Sequence, residues 1–267
     1  LPAEGEGRTP ASGPDVHDAM KPDPVFKLYS SIRYNAQEMV WRSVLRPLAE
    51  HREELGEKMA TSAGGDTLGS LTLNPELEIP RNVSAIDVHL TPGSYHREDP
   101  DAPWMAGALY DHGFNVFSFG MMGENHDDIG LSMSNYIRHR FPDFKPRRIL
   151  DLGCTIGHNT CAWKNTFPEA EVTGIDVAPA CLRHAHARAE AQGAKVYFVR
   201  DGLFDDVDLA LAWHPAPVAA ASTSVAVGNR RTPDAPQAPH ISAVRASTCT
   251  SPSIPVVKPL VSEVGTS

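Results

Sequence analysis

Cysteine is scarce in this chain of 267 residues. There are four, Cys154, Cys161, Cys181 and Cys249, with no CxxC pair and no zinc-type spacing. That excludes a disulfide scaffold and a cysteine-rich metal knuckle, and it predicts free thiols in a reducing cytoplasm. Long apolar runs are missing, and none would span a bilayer as a helix. The first residues lack a basic start followed by an apolar stretch, so no secretory leader is expected. Basic side chains are outnumbered, 24 against 33 acidic, for a formal charge of −9 at pH 7. Such a balance works against a general electrostatic grip on nucleic acid. The local basic run Arg138, Arg140, Lys145, Arg147, Arg148 reads as a solvated helix end and loop. His89, His96 and Asp99 lie near one another in sequence, but without a recognised ligand spacing, so no metal is expected.

What is present is unevenly spread. Residues 1–24 are rich in Pro, Gly, Ala and charge and are expected to be disordered. Residues 25–145 read as a mainly helical extension or lid. Within it Met39, Val40, Val44, Leu45 and Leu48 recur at helical spacing. Residues 66–104 read as irregular, with frequent turn signals. An aromatic segment follows, with Tyr110, Phe114 and Phe117. Asn125 or Asp127 is placed to cap a further helix whose buried face would be Ile129, Met133, Tyr136 and Ile137.

From 146 to 214 the grammar is that of an α/β unit. Strands are expected at about 148–152, 171–176 and 195–199, with helices between them and a possible fourth strand at 207–213. Such alternation predicts a parallel sheet with right-handed crossovers. After Pro215 the chain is Ala, Pro, Ser, Thr and Val without useful periodicity. The expectation is a disordered or aberrant terminus, and hence an α/β, Rossmann-like parallel sheet incomplete at its C-terminus, with a helical N-terminal extension.

The chemistry concentrates in Ile149-Leu-Asp-Leu-Gly-Cys-Thr-Ile-Gly157. A buried strand ends there, Gly153 and Gly157 frame a tight turn, and a helix begins. Such a turn lets a ligand approach the backbone, with helix-end N–H groups facing it. Asp176 ends the next strand, 25 positions beyond Asp151, where a carboxylate can accept hydrogen bonds from ribose hydroxyls. These parts describe a nucleoside-type cofactor site. A G-x-G-x-x-G fingerprint starting at Gly153 would need glycine at 155 and usually at 158, where Thr155 and His158 stand.

Together with Phe167-Pro-Glu-Ala-Glu-Val-Thr-Gly-Ile-Asp-Val177 and Val196-Tyr-Phe-Val-Arg-Asp201, this stretch resembles the class I S-adenosylmethionine-dependent methyltransferases over about residues 146–201. The family commonly has glycine where Thr155 stands. The resemblance implies S-adenosyl-L-methionine as cofactor and a small-molecule methyl acceptor. It implies that Gly153, Cys154, Thr155 and Gly157 shape the methionine and ribose pocket and that Asp151 orients the ammonium. Asp176 would hold the ribose, Val177 would pack on the adenine, and Asp201 with Gly202 would meet the adenine amino group. Tyr110 lies where many members place a cofactor-covering aromatic. On the acceptor side, Val88-His-Leu-Thr-Pro-Gly-Ser-Tyr-His96 offers His89, Tyr95 and His96, with a histidine as general base. His184 and His186 stand at i, i+2 and so cannot face one ligand. Two other readings stay open: a non-catalytic or truncated relative that binds cofactor or a partner, and a nicotinamide-dependent oxidoreductase.

Overall fold

The computed structural model describes residues 12–79, 85, 87–200, 209–215 and 221–227. Helices α1 (Gly13–Met20), α2 (Pro24–Glu50) and α3 (Arg52–Ala63) lead into strand β1 (Ser70–Leu73). A single 3-10 turn spans Val88–Leu90, followed by α4 (Met105–Phe117) and α5 (Asp128–Arg140). Then come β2 (Arg148–Leu152), α6 (His158–Thr166), β3 (Glu171–Ile175), α7 (Pro179–Ala191) and β4 (Tyr197–Arg200). Strands β5 (Leu209–Pro215) and β6 (Ala221–Val227) complete the described elements.

The sheet runs β1-β4-β3-β2-β5-β6. All neighbours are parallel except β5 and β6, which pair antiparallel. The chain steps from β2 through β3 to β4 on one side, then returns to lay β5 against the other side of β2. The direction of winding reverses at β2, so the C-terminal ends of β2 and β3 flank the kind of crevice where open α/β sheets bind ligands. The core between sheet and helices is built from Ile149, Val172, Val196, Phe198, Leu182 and Trp163.

The α/β expectation holds, and the strands fall within a few residues of their expected places. Four expectations are corrected. Residues 13–20 are helical rather than disordered: Ser12 caps the helix through its hydroxyl, and a proline sits in the first turn. Residues 70–73, read as irregular, form an edge strand of the sheet. Residues 221–227, read as part of a disordered tail, pair with β5, while the remainder of that tail lies outside the described residues. Tyr136, expected in a buried face, is 63% exposed, because Gly130 and Ser134 take the buried side of α5.

The N-terminal helices form a second layer over the unit. Asp23 starts α2 by accepting from the N–H groups of Val25 and Phe26 at 2.8 and 2.9 Å, with Pro24 in the first turn. Further on, Trp41, Val44 and Leu48 pack on Ala108 and Leu109 of α4. Gly113 makes this crossing possible, since a Cβ there would lie 2.2 Å from the Trp41 ring. Helix α4 also lies across α7, which places its aromatic residues above the start of α6.

Candidate functional site

Asp151 sits one residue from the end of β2 and is buried. The Thr160 hydroxyl, on the first turn of α6, donates to its Oδ2 at 2.6 Å. Burial pushes the Asp151 carboxyl up to about 6; the Thr160 hydrogen bond opposes this and the nearby Asp176 charge adds to it.

The turn after β2 takes left-handed backbone at Gly153 (φ 76°), Thr155 (φ 47°) and Gly157 (φ 69°). Glycine accepts this region readily; threonine, branched at Cβ, does not. Thr155 is held there because its N–H donates to Asp176 Oδ2 at 2.8 Å. The other oxygen of Asp176 accepts from Ala178 N at 2.9 Å. Gly153 N and Cys154 N both donate to Ile175 O, at 2.8 and 3.0 Å. The end of β3 therefore moulds the turn that follows β2. Asp176 is buried, which raises its pKa, while the N–H groups of Ala178, Thr155 and Val177 pull it back. Gly157 is required twice over: its φ is positive, and a Cβ would meet Phe198 at 2.9 Å.

The sequence-derived residues do not all face this turn. Cys154 turns its sulfur into the sheet core, where it limits the space at Gly174. Only its backbone can serve a ligand. Val177 is half-buried, and its carbonyl accepts from Arg200 Nε at 3.2 Å. Asp201 and Gly202 lie outside the described residues.

An aromatic layer covers the turn. Tyr110 packs with Ile156, Ala178 and Cys181, and with the rings of Tyr95 and Phe114. The Tyr95 and Tyr110 rings meet edge to face at 5.3 Å, and Tyr110 stacks on Phe114 at 5.9 Å. Burial raises the Tyr110 phenol's pKa, against a hydrogen bond to Thr155. Tyr95, raised likewise by burial, is hydrogen-bonded to His89 Nδ1. His89, Leu90 and Ser94 all have left-handed backbone, and His89 O accepts from Trp41 Nε1 at 2.8 Å. His96 keeps a buried Nδ1 without a hydrogen-bond partner among the described residues.

Several polar residues here were not visible in the sequence. His158, first residue of α6, is 3% exposed, and neither ring nitrogen has a hydrogen-bond partner among the described residues. It lies beside Tyr110 and Phe114. Burial lowers its pKa to about 3, so the ring is neutral. Its position directly after Gly157 was the only signal available. Asp111 gathers His126 Nδ1 at 2.9 Å, His184 Nε2 at 3.1 Å and Arg188 at 2.5 Å. His186 points instead toward Glu190, so the two histidines of α7 serve different partners. Among the described residues no helix is long and apolar enough to cross a membrane, and no cluster of His, Cys, Asp or Glu is arranged to hold a metal ion.

A left-handed turn at the switch point of a parallel sheet, fixed by the next strand's carboxylate, defines a nucleotide-type cofactor seat. Residues 149–227 match the model of the methyltransferase domain family. S-adenosyl-L-methionine is the cofactor of that family. The chain is 39% identical over 77 residues to a demethylmenaquinone methyltransferase of Thermus thermophilus, covering 26% of this chain and 35% of that protein. It is 47% identical over 49 residues to a trans-aconitate 2-methyltransferase of Methylobacterium radiotolerans, covering 18% and 19%. The chain thus spans about a third or less of the length of these curated relatives. Among solved structures, an amino pentose methyltransferase of Micromonospora echinaspora with bound S-adenosylmethionine is 26% identical over 34% of this chain and 36% of its own, with a TM-score of 0.27.

Proposed function

We propose that this chain binds S-adenosyl-L-methionine at the ends of β2 and β3 and transfers its methyl group to a small-molecule acceptor. The observation that carries the reading is the Thr155–Asp176 hydrogen bond, which joins a strained turn to a strand-end carboxylate within the segment matched to the family. The residues present suit that cofactor. Asp176 offers acceptors for ribose hydroxyls, Asp151 a carboxylate for an ammonium, and His158 a neutral ring whose one donor and one acceptor have no partner among the described residues. The first turn of α6 adds N–H groups without intrahelical partners.

The cofactor supplies a methyl on an already electrophilic sulfonium. The protein's work is then to hold the acceptor in line and to exclude water, with no covalent nucleophile on the chain. Tyr110, Tyr95 and Phe114 provide the water-excluding cover. His89 is the general base of this reading: partial burial lowers its pKa, which keeps it neutral at pH 7, and the contact with Tyr95 orients its ring. His96 and Tyr95 line the same loop. A small acceptor is supported by the acidic balance of the chain and by the names of both curated relatives. Buried free thiols at Cys154, Cys161 and Cys181 support a cytoplasmic setting.

Calorimetry tests the reading. S-adenosylmethionine and S-adenosylhomocysteine should bind the full chain, and Asp176→Ala should weaken binding by about 1.5–3 kcal/mol. Unchanged affinity in the variant would remove Asp176 from the site. Binding without turnover over a panel of small acceptors would favour a non-catalytic relative, and preference for a nicotinamide nucleotide would favour an oxidoreductase.

A further inference from the structure

A buried ion cluster next to the cofactor seat has no role in the chemistry proposed above. Asp111 follows Tyr110 in α4. Its three partners come from outside that helix: His126 from the turn before α5, and His184 and Arg188 from α7. Burial would raise the Asp111 carboxyl, but the hydrogen bonds from His126 and His184 and the Arg188 charge hold it well below the usual carboxylate range. It is therefore a charged group tying two layers together.

We infer that Asp111 is a positioning residue: it latches α4 onto α7 and so holds Tyr110 as a gate across the cofactor seat. The inference rests on the cofactor reading above.

Three observations converge on it. First, neighbouring residues of a helix share one rigid body, so fixing the Asp111 carboxylate fixes the rotation that lays Tyr110 over Ile156, Ala178 and Cys181. Second, six non-glycine residues among those described have left-handed backbone. Three of them, His89, Leu90 and Ser94, precede α4, and two, Phe119 and His126, follow it. The sixth, Thr155, lies beneath Tyr110. These residues lie in the loops that lead into and out of α4 rather than in the helix itself, and left-handed backbone at non-glycine positions there costs local free energy. Third, the closed cover leaves His158 buried with neither ring nitrogen hydrogen-bonded among the described residues, a cost that opening or a ligand would relieve. The closed position is thus opposed by strain and by desolvation, and Asp111 is the group that offsets them. An element so balanced can open for cofactor exchange.

Cysteine labelling reads the gate without any ligand. Cys181 is fully buried in the cluster with Tyr110, and its sulfur lies 3.7 Å from Tyr95 O. Cys161 is buried to a similar degree but belongs to the core cluster of Ile149 and Trp163 rather than to that of Tyr110, although the Arg188 charge reaches it. In the full chain carrying Cys249→Ser, an uncharged thiol reagent is applied and labelling at each cysteine is followed by mass spectrometry. Asp111→Asn should speed labelling of Cys181 roughly ten-fold or more while Cys161 keeps its wild-type rate. His184→Gln, which leaves the Asp111–Arg188 pair intact, should give a smaller rise and carries the same test should Asp111→Asn fail to fold. In stopped-flow mixing, Asp111→Asn should accelerate both association and dissociation of S-adenosylhomocysteine, which a purely structural lesion would not do. Unchanged Cys181 labelling, or equal acceleration at Cys181 and Cys161, overturns the latch. If the variant exposes Cys181 but S-adenosylhomocysteine fails to protect it in the wild type, the latch stands and the cofactor reading falls.

Discussion

At the scale of single residues, the candidate site stores free energy in groups that the folded chain does not fully satisfy. Asp151 is the measurable case. Its carboxyl is raised to about 6, chiefly by burial, with the Asp176 charge adding to it, against about 3.9 in an unfolded chain. Between those values the folded state binds more protons than the unfolded state, so this group's contribution to stability falls as pH rises through that window. Below about pH 4 the carboxyl is protonated in both states and nothing is lost; above about pH 6 the loss is complete, roughly 3 kcal/mol. Asp151→Asn should therefore match the wild type in urea unfolding near pH 4 and exceed its stability at pH 7.5 by up to that amount, while binding the cofactor less well. A stability difference independent of pH would show that the wild-type carboxyl does not titrate in this window. The residues behind this argument were partly legible in the sequence. Asp151, Gly153, Gly157 and Asp176 stand out because glycine turns and strand-end carboxylates are local features. The inward direction of the Cys154 sulfur was not legible, since which way a turn side chain points depends on Gly174 across the sheet. His158 and Asp111 were invisible as functional groups, because partners such as His184 lie 73 positions away.

At the scale of elements, β2, β3 and β4 were legible and β1 was not. Buried parallel strands announce themselves as apolar runs between glycines and charges. Strand β1 has four residues, alternates only Leu71 and Leu73 inward, and sits among turn signals. Its place is set by a distant group. The Glu190 side chain on α7 is only 8% exposed and accepts from Leu68 N and Gly69 N, both at 2.8 Å. Gly69 then passes so close to Val196 that a Cβ would meet its carbonyl oxygen at 1.9 Å. Glu190→Ala leaves both N–H groups without that partner and should cost about 2–3 kcal/mol in global stability. Hydrogen exchange localises the effect: amides of Ser70–Leu73 should lose protection more than those of β2 and β3. Uniform loss across the sheet would mean that β1 does not depend on this carboxylate. The same logic applies at Gly113, where the α2–α4 crossing is set by contact with Trp41 rather than by any periodicity in the chain.

At the scale of the whole molecule, hydrophobic patterning and burial part company along α2. The helical spacing of 34–60 was legible, yet Met39 and Leu45 face outward and Trp41, Val44 and Leu48 face inward. Toward the N-terminus the helix leaves the body altogether. Val25, Leu28, Tyr29 and Ile32 are 58–72% exposed and share one face at i, i+3, i+4, i+7. At the end of α4 and just after it, Phe117, Phe119 and Met121 are also exposed, between 53% and 85%. Monomeric proteins seldom expose contiguous apolar stripes of this kind, and a helix projecting from the body draws little stability from propensity alone. The net charge of −9 opposes association of whole molecules but is not concentrated on this stripe, whose near neighbours include Lys27 and Arg33. Burying the stripe against another apolar surface would remove side chains worth about 1.5–3 kcal/mol each from water. The purified chain should therefore associate with rising concentration, and Leu28→Lys with Ile32→Glu should suppress that association in sedimentation velocity. Because both positions are exposed, the paired variant should keep the wild-type unfolding free energy within about 0.5 kcal/mol. Association undiminished in the paired variant would move its origin to other surfaces, with Phe119 and Met121 the next to be substituted.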